Sequence, residues 1–594
     1  MATRENLIFS YDHEGRKILL RKVFDLLRKM RLTVSIYADR RILLVSVPFL
    51  TVRQRVKKFF CTLKREQKTA LAFFFQICYY YEKKQRGDYM KIGWSEISIT
   101  PEKKVSLYGQ FAERISEYVE KPLMATAMAV EAGEDQMVIC SCDLVGVADN
   151  IVEDVRNRLR EMGAEALGLD LMKLIFCATH THTGPGFPRR ANRVVSLSAD
   201  NKTLLESMLP KGKKYIDQAN AKDRPDVATP QEVLELLVTN LSRVVLDAWT
   251  KREDASFVNS FERACVGMCR RVDYSDNSAQ MWGDSNTAVF TELEGGNDSG
   301  VELIFTFSGE KATGVLINLP CPAQCVQHRH FVSPDFWGEA RKLIKERFGE
   351  DFFVLPVCGP AGDQCPVDLV RWVQPESDVN DPNLIRNDPP KRKADPSMFD
   401  LAGMRKAGKR VANAVFEAYA EGLSEKQSEI PFEHRVSTYD LPLRRTTIRD
   451  YHEAKQVIRD YLRDKDGDVD FNDAAKLQPY MGIIKRFQVQ ETVDTIPAEI
   501  HVIRMGSVAF ASSPFELYLD YANQIKARAL CEQTFLIQLA NGTEGYLPTE
   551  KGEIHGHYSG FIASGVVGHE GGELLVRRTL KEINEMFAEL RKQE

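Results

Sequence analysis

At 594 residues, with 43% hydrophobic and 28% charged residues, the chain exceeds one typical domain and has a globular composition, which excludes disordered and fibrous classes. A net charge of -4 gives no bulk attraction to nucleic acid. The longest apolar run, Thr69 to Tyr81, is shorter than the ~20 residues that span a bilayer. The 12 cysteines include no Cys-x-x-Cys and no signal-peptide pattern opens the chain, so a reducing, cytoplasmic setting is expected.

Charge is unevenly spread. Residues 1–89 hold 20 Lys/Arg against 8 Asp/Glu, and the remainder 60 against 76, which marks a separate basic extension. Within it Lys17 to Met30 reads as a helix, with Ile18, Leu19, Val23, Leu26 and Leu27 on one face, and Arg41 to Leu50 as a strand. Such a segment suits a small nucleic-acid or membrane-surface module. A second reading makes it translated upstream DNA. FFFQICYYYEKK at 73–84 is what A/T-rich codons produce, and Arg86-Gly87-Asp88 before Met90 can be encoded by a purine-rich run like a bacterial ribosome-binding sequence. We expect translation to start at Met90 and the working domain to be 90–594.

From Met90 on, strands and helices alternate. Gln136 to Ser141 reads as a strand ending at Asp143. Asn150 to Met162 reads as a helix with Ile151, Val155, Leu159 and Met162 on one face. Leu174 to Phe187, LIFCATHTHTGPGF, reads as a strand that runs into His180 and His182. Side chains two apart share a face of an extended chain, so both imidazoles point out of one strand end. That suits a metal, or a metal ligand beside an acid/base; a solvated pair is an equal reading of His-x-His alone. A second unit runs from Thr313–Leu319 through a helix at 335–348 to Asp351–Val357. It carries Pro320-Cys321-Pro322 after its first strand and Cys358-Gly359-Pro360-Ala361-Gly362-Asp363 after its second. A third has strands at Ile500–Met505 and Val508–Ala511, a helix opened by Pro514 with Glu516 in its first turn, and a strand Thr534–Leu539 followed by Tyr546.

The fold class expected is α/β, with mixed sheets, repeated β-α-β units and long loop insertions. In such folds ligands sit beyond the carboxyl ends of the strands. Asp143, His180, His182, Cys321, Asp363, Glu516 and Tyr546 all fall there. Singly, Glu516 reads equally as a helix-start carboxylate and Cys321 as a buried thiol. The insertions, 188–230 and 367–396, read as lids or substrate walls, with an amphipathic helix at about 231–251 after the first. Asp464 to Asp468 imitates part of a calcium loop but lacks its closing Glu.

The run ATHTHTGPG resembles THTHSGPGG, the hallmark of the neutral/alkaline, non-lysosomal ceramidases, which are zinc-dependent amide hydrolases. The resemblance spans roughly 90–594 and stops short of that family's C-terminal sandwich domain. It implies one Zn2+ held by His180, Cys321, Glu516 and Tyr546, with His182 beside the metal as the proton shuttle. It also implies that Arg270 and Tyr558 contact substrate, with Asp363 counted among the catalytic residues. Two positions depart from the pattern. Cys321-Pro322 stands where the family has His-Pro, with His328 or His330 as alternative ligands, and Gly359 stands where it has an active-site serine. The expected function is a zinc-dependent hydrolase of an amide or related acyl bond in a small-molecule substrate other than ceramide. The alternatives are a repurposed ligand-binding protein, or a hydrolase of a carbohydrate-like substrate. No nucleic-acid partner is expected for 90–594.

Overall fold

The computed structural model describes residues 6–10, 35–39, 42–46 and 88–589, apart from 111–112, 189–200, 217–223, 371, 374–392, 395–398 and 422–424. The chain divides into two compact units, Met1–Gly87 and Asp88–Glu594. In the first, Asn6–Ser10, Ser35–Asp39 and Ile42–Ser46 form an antiparallel sheet with Ile42–Ser46 in the middle. The expected helix at 17–30 lies outside the described residues, as does much of both insertions.

The second unit is built from one pattern used three times. In the first repeat β1 (Asp88–Ser98), β2 (Met124–Ala132) and β3 (Asp135–Cys142) are antiparallel neighbours. Helix α1 (Asp149–Glu161) then returns the chain to β4 (Leu174–Ala178), parallel to β3, and a long helix α2 (Pro230–Thr250) follows. The second has β5 (Ser256–Arg263), β6 (Gly300–Ser308), β7 (Lys311–Leu319), α3 (Phe336–Phe348), β8 (Phe353–Cys358) and α4 (Asp400–Ala420), with the same pairing. The third has β9 (Phe432–Pro442), β10 (Thr495–Met505), β11 (Val508–Ser512), α5 (Leu519–Arg528), β12 (Gln533–Ile537) and α6 (His569–Met586), again with that pairing. Two helices, Ile448–Asp464 and Phe471–Val489, are inserted between β9 and β10. A helical crossover is what a parallel pair requires. The three expected β-α-β units are therefore present.

Strand side chains alternate between two cores, as a period of two demands. On β3 and β4, Val138, Cys140, Leu174 and Phe176 pack outward under α1 and α2, while Met137, Ile139, Ile175 and Cys177 face a central core. On β7 and β8, Val315, Ile317 and Val354 lie under α3 and α4, while Leu316, Leu355 and Val357 join the central core. On β11 and β12, Ala509, Ala511 and Leu536 lie under α5 and α6, while Val508, Phe510, Phe535 and Ile537 complete that core. Burial on both faces explains why these strands read as unbroken apolar runs. Each Val, Leu, Ile, Phe or Met among them contributes about 1.5–3 kcal/mol.

Polar groups stitch the three sheets together. Asn318 donates to the carbonyls of Val357, at 3.3 Å, and Leu536, at 2.9 Å. Asn541 donates to Leu174 O at 2.8 Å and accepts the Phe176 N–H at 2.7 Å. Asp143, at the end of β3, receives both terminal nitrogens of Arg341 on α3 at 2.6 and 3.0 Å, and the Met124 N–H at 2.9 Å. Its role is therefore to lock the first repeat to the second. Among the described residues no helix is long and apolar enough to cross a membrane.

Candidate active site

Beyond the carboxyl ends of the central strands, the polypeptide gathers a closed circuit of polar side chains. His180, two residues past β4, sits at φ 62°, a left-handed conformation that only over-determined surroundings maintain in a non-glycine residue. Its Nδ1 lies 2.6 Å from Val145 O. A carbonyl only accepts, so Nδ1 carries the proton and Nε2 turns inward. There it meets His182 Nε2 at 3.3 Å and Glu516 Oε2 at 3.4 Å.

His182 is fixed from the other side. Arg270 Nη1 donates to Gln324 Oε1 at 3.1 Å, which leaves the Gln324 amide nitrogen to donate to His182 Nε2 at 2.9 Å. Burial, then the neighbouring His180, Arg114 and Arg270, hold the His182 pKa well below the usual histidine range. It stays neutral near neutral pH, its Nε2 lone pair accepting from the Gln324 amide. Gly109 lies flat on its ring: at φ +106°, an added Cβ would stand 2.5 Å from His182 Cγ. Arg114 holds the backbone of the same histidine through His182 O at 2.6 Å.

Arg270 Nη2 closes the circuit, donating to Gly362 O at 3.0 Å and to the Tyr546 hydroxyl at 3.3 Å. Tyr546 is register partner to Glu516 in a short parallel bridge. This corrects one expectation. Glu516 is in an extended segment, its N–H bonded to Gly545 O at 2.8 Å, and the helix begins only at Leu519. Burial raises the Glu516 carboxyl, but His180, Arg270 and the Tyr546 hydroxyl outweigh it, and the net shift is downward. Burial beside Glu516 pushes the Tyr546 hydroxyl well up, so it is a neutral phenol. Tyr558 meets Tyr546 edge-on at 5.4 Å, and burial with Glu516 nearby raises its hydroxyl to about 12.

The structure thus brings His180, His182, Arg270, Glu516, Tyr546 and Tyr558 together. Cys321 lies elsewhere. Its side chain is fully buried in the apolar core under α3 and α4, with Sγ 3.5 Å from Pro322 O. Burial drives its pKa well above the ordinary thiol value. His328 stacks on Phe399 at 5.2 Å and faces Asp400 at 3.7 Å, and His330 is exposed. Asp363 supports from behind: its Oδ1 accepts the Leu519 N–H at 3.0 Å at the start of α5, and its carbonyl accepts the Arg270 N–H at 2.9 Å. Among the described residues the group of three His, Cys, Asp or Glu side chains whose ligand atoms all lie within 4.8 Å of one another is Asp273, Glu294 and His555. His180, Cys321 and Glu516 do not form one. Sequence reasoning missed Gln324 and Gly109; only the position of Gln324, three residues past Cys321 in a site-facing loop, pointed to it.

No protein-family model matches the sequence, and no curated protein matches it. Solved structures do. The neutral ceramidase from Pseudomonas aeruginosa superposes with a TM-score of 0.57 and 16% identity, over 84% of this chain and 75% of that one. A ceramidase complexed with C2 superposes with a TM-score of 0.56 and 14% identity, over 85% and 76% of the two chains. At such identities the likeness speaks for the fold, and it is one that the THTH run had led us to expect. In its fold, the chain is a divergent, ceramidase-like protein.

Proposed function

We propose that residues 88–594 form a metal-dependent hydrolase that splits an amide or related acyl bond in a small, soluble molecule. One observation carries the reading. His180 Nε2 and the Glu516 carboxylate converge as acceptors, because Val145 O takes the His180 Nδ1 proton, and His182 Nε2 stands 3.3 Å from His180 Nε2 with the Gln324 amide donating to it. Arg270 offsets part of the negative charge of Glu516, and a further positive charge between His180 and Glu516 would suit these converging acceptors. A zinc-type cation would supply it in the working protein. Imidazole, carboxylate and phenol oxygen fit such a cation. His180, Glu516 and Tyr546 would hold it. Cys321, packed in the apolar core and forming no three-ligand group with His180 and Glu516, is left out of the set.

When bound, the cation would polarise the acyl oxygen and acidify a water. His182, neutral, exchanges the Gln324 hydrogen bond at Nε2 for the attacking water, takes the proton from it and returns it to the leaving nitrogen as the C–N bond breaks. Arg270 keeps a buried Nε–H without a hydrogen-bond partner, a donor for the oxyanion, with the Tyr558 hydroxyl beside it. Gly359 brings no hydroxyl, which argues for a substrate other than ceramide.

The test is a screen of N-acyl and amide small molecules with wild type and His182→Ala. The reading expects hydrolysis that His182→Ala lowers by ~10²–10⁴-fold. The same glycine leaves a second reading, a binding protein on this scaffold, which would instead show tight ligand binding without turnover in either protein.

A further inference from the structure

We propose a second cation site, separate from the circuit above, in which Asp273, Glu294 and His555 hold a divalent metal that clips the Tyr558 loop to the strand following Arg270. His555 Nδ1 lies 3.2 Å from Asp273 Oδ1 and 3.5 Å from Glu294 Oε2. These are the spacings between neighbouring ligands around an ion with bonds of about 2.1 Å. They are longer than charge-assisted hydrogen bonds: His555 Nδ1 and Asp273 Oδ1 are buried without a hydrogen-bond partner, while the other oxygen of Asp273, a residue only 2% exposed, is held by Lys551. Leaving such atoms unsatisfied is costly in a folded protein.

Two cations already stand at the edge of this group, and they differ. Arg271 is fully buried and grips Glu294 at 2.5 and 2.9 Å, so it stays. Lys551 reaches Asp273 Oδ2 at 2.8 Å, but its side chain is 37% exposed and Glu292 offers it a second carboxylate at 2.8 Å. A dication displaces the lysine onto Glu292 and leaves no carboxylate uncompensated. One imidazole with two carboxylates selects a borderline metal such as Mn2+ or Zn2+ over Ca2+, which takes six to eight oxygens.

The position gives the site a purpose. Asp273 is on the strand Arg271–Tyr274, directly after Arg270, and His555 ends the helix Glu550–His555 just before Tyr558. Between them Arg271 donates to the carbonyls of Gly556 and Tyr558, both at 2.8 Å. His557 and Ser559 both have positive φ, 63° and 70°, so this loop is strained and depends on its surroundings. A cation across Asp273, Glu294 and His555 would hold Tyr558 in register with Arg270.

The experiment uses the full chain, stripped with a chelator and titrated with Mn2+ while free Mn2+ is read by electron paramagnetic resonance. In a His180→Ala background, which removes the first site, one equivalent of Mn2+ should still bind, and adding Asp273→Asn should abolish it. Lys551→Ala should bind Mn2+ tighter than wild type by roughly tenfold, because a competing charge is gone. The lysine variant keeps the test decisive even where Asp273→Asn fails to fold. Binding equal with and without Asp273→Asn, or no tightening in Lys551→Ala, overturns the clip and leaves an ion-pair network. Failure of the first site shows up separately, as no difference between wild type and His180→Ala.

Discussion

Gln324 stands between Arg270 and His182, accepting from the guanidinium at 3.1 Å and donating to the imidazole at 2.9 Å. The guanidinium fixes which end of the amide faces His182, and the amide fixes which nitrogen of His182 is bare. Replacing Gln324 by Glu removes the donor and brings a negative charge to the ring. The His182 pKa then rises, and the acid limb of the rate profile moves to higher pH. Turnover should fall by ~10–100-fold with KM little changed. A loss confined to KM would show that Gln324 touches substrate instead.

Gly109 is required by contact as much as by conformation. A methyl group there would stand 2.5 Å from His182 Cγ at a backbone φ of +106°. Gly109→Ala should therefore displace the imidazole and cut turnover at least as far as Gln324→Glu, at a stability cost of about 1–3 kcal/mol. Wild-type activity in this variant would mean that His182 is not held against Gly109.

Cys321 is placed as a core residue, so Cys321→Ala should leave bound metal unchanged and cost about 1–2 kcal/mol, the usual range for a small deletion in a core. Metal analysis and chemical denaturation of the purified variant check both. Loss of metal would restore Cys321 as a ligand.

Burial raises the Asp363 carboxyl from 3.8 to about 6. The folded chain then binds more protons than the unfolded chain between those values, so this group's contribution is fully present below 3.8 and lost as pH rises through 6. The loss is about 3 kcal/mol. Asp363→Asn has no such titration, so wild type should gain on the variant as pH falls from 7.5 to 5 in urea melts. A gap independent of pH would contradict the assignment.

Much of the framework is legible in the sequence because strands buried on both faces must be continuously apolar. Gln136–Ser141, Thr313–Leu319 and Thr534–Leu539 each announce a strand within two residues of the observed ends. The helices expected at 150–162, 335–348 and 231–251 lie within one residue of the observed ends; the capping box of α2, Thr229 with Glu232, is seen only in the fold. The neighbours β1, β2, β5 and β6 were not singled out, so the threefold pattern became visible only through pairing. Glu516 misled because Pro514 is an ordinary helix opener; the pull of Gly545 and Tyr546 on its backbone is tertiary. Cys321 misled for a related reason. Alignment places a residue at a loop position, but the apolar side chains beneath α3 decide where the thiol points. Gln324 and Gly109 carry no motif, since a bridging amide and a flat contact exist only in three dimensions.

The central claim is that His180 and Glu516 share one cation at the carboxyl ends of the strands. Metal content of wild type, His180→Ala and Glu516→Gln, purified identically and counted by mass spectrometry, tests it most directly. The account predicts that each variant carries one ion fewer per chain than wild type and loses hydrolysis with it. Equal metal content in all three, or hydrolysis that persists in the variants, would contradict it.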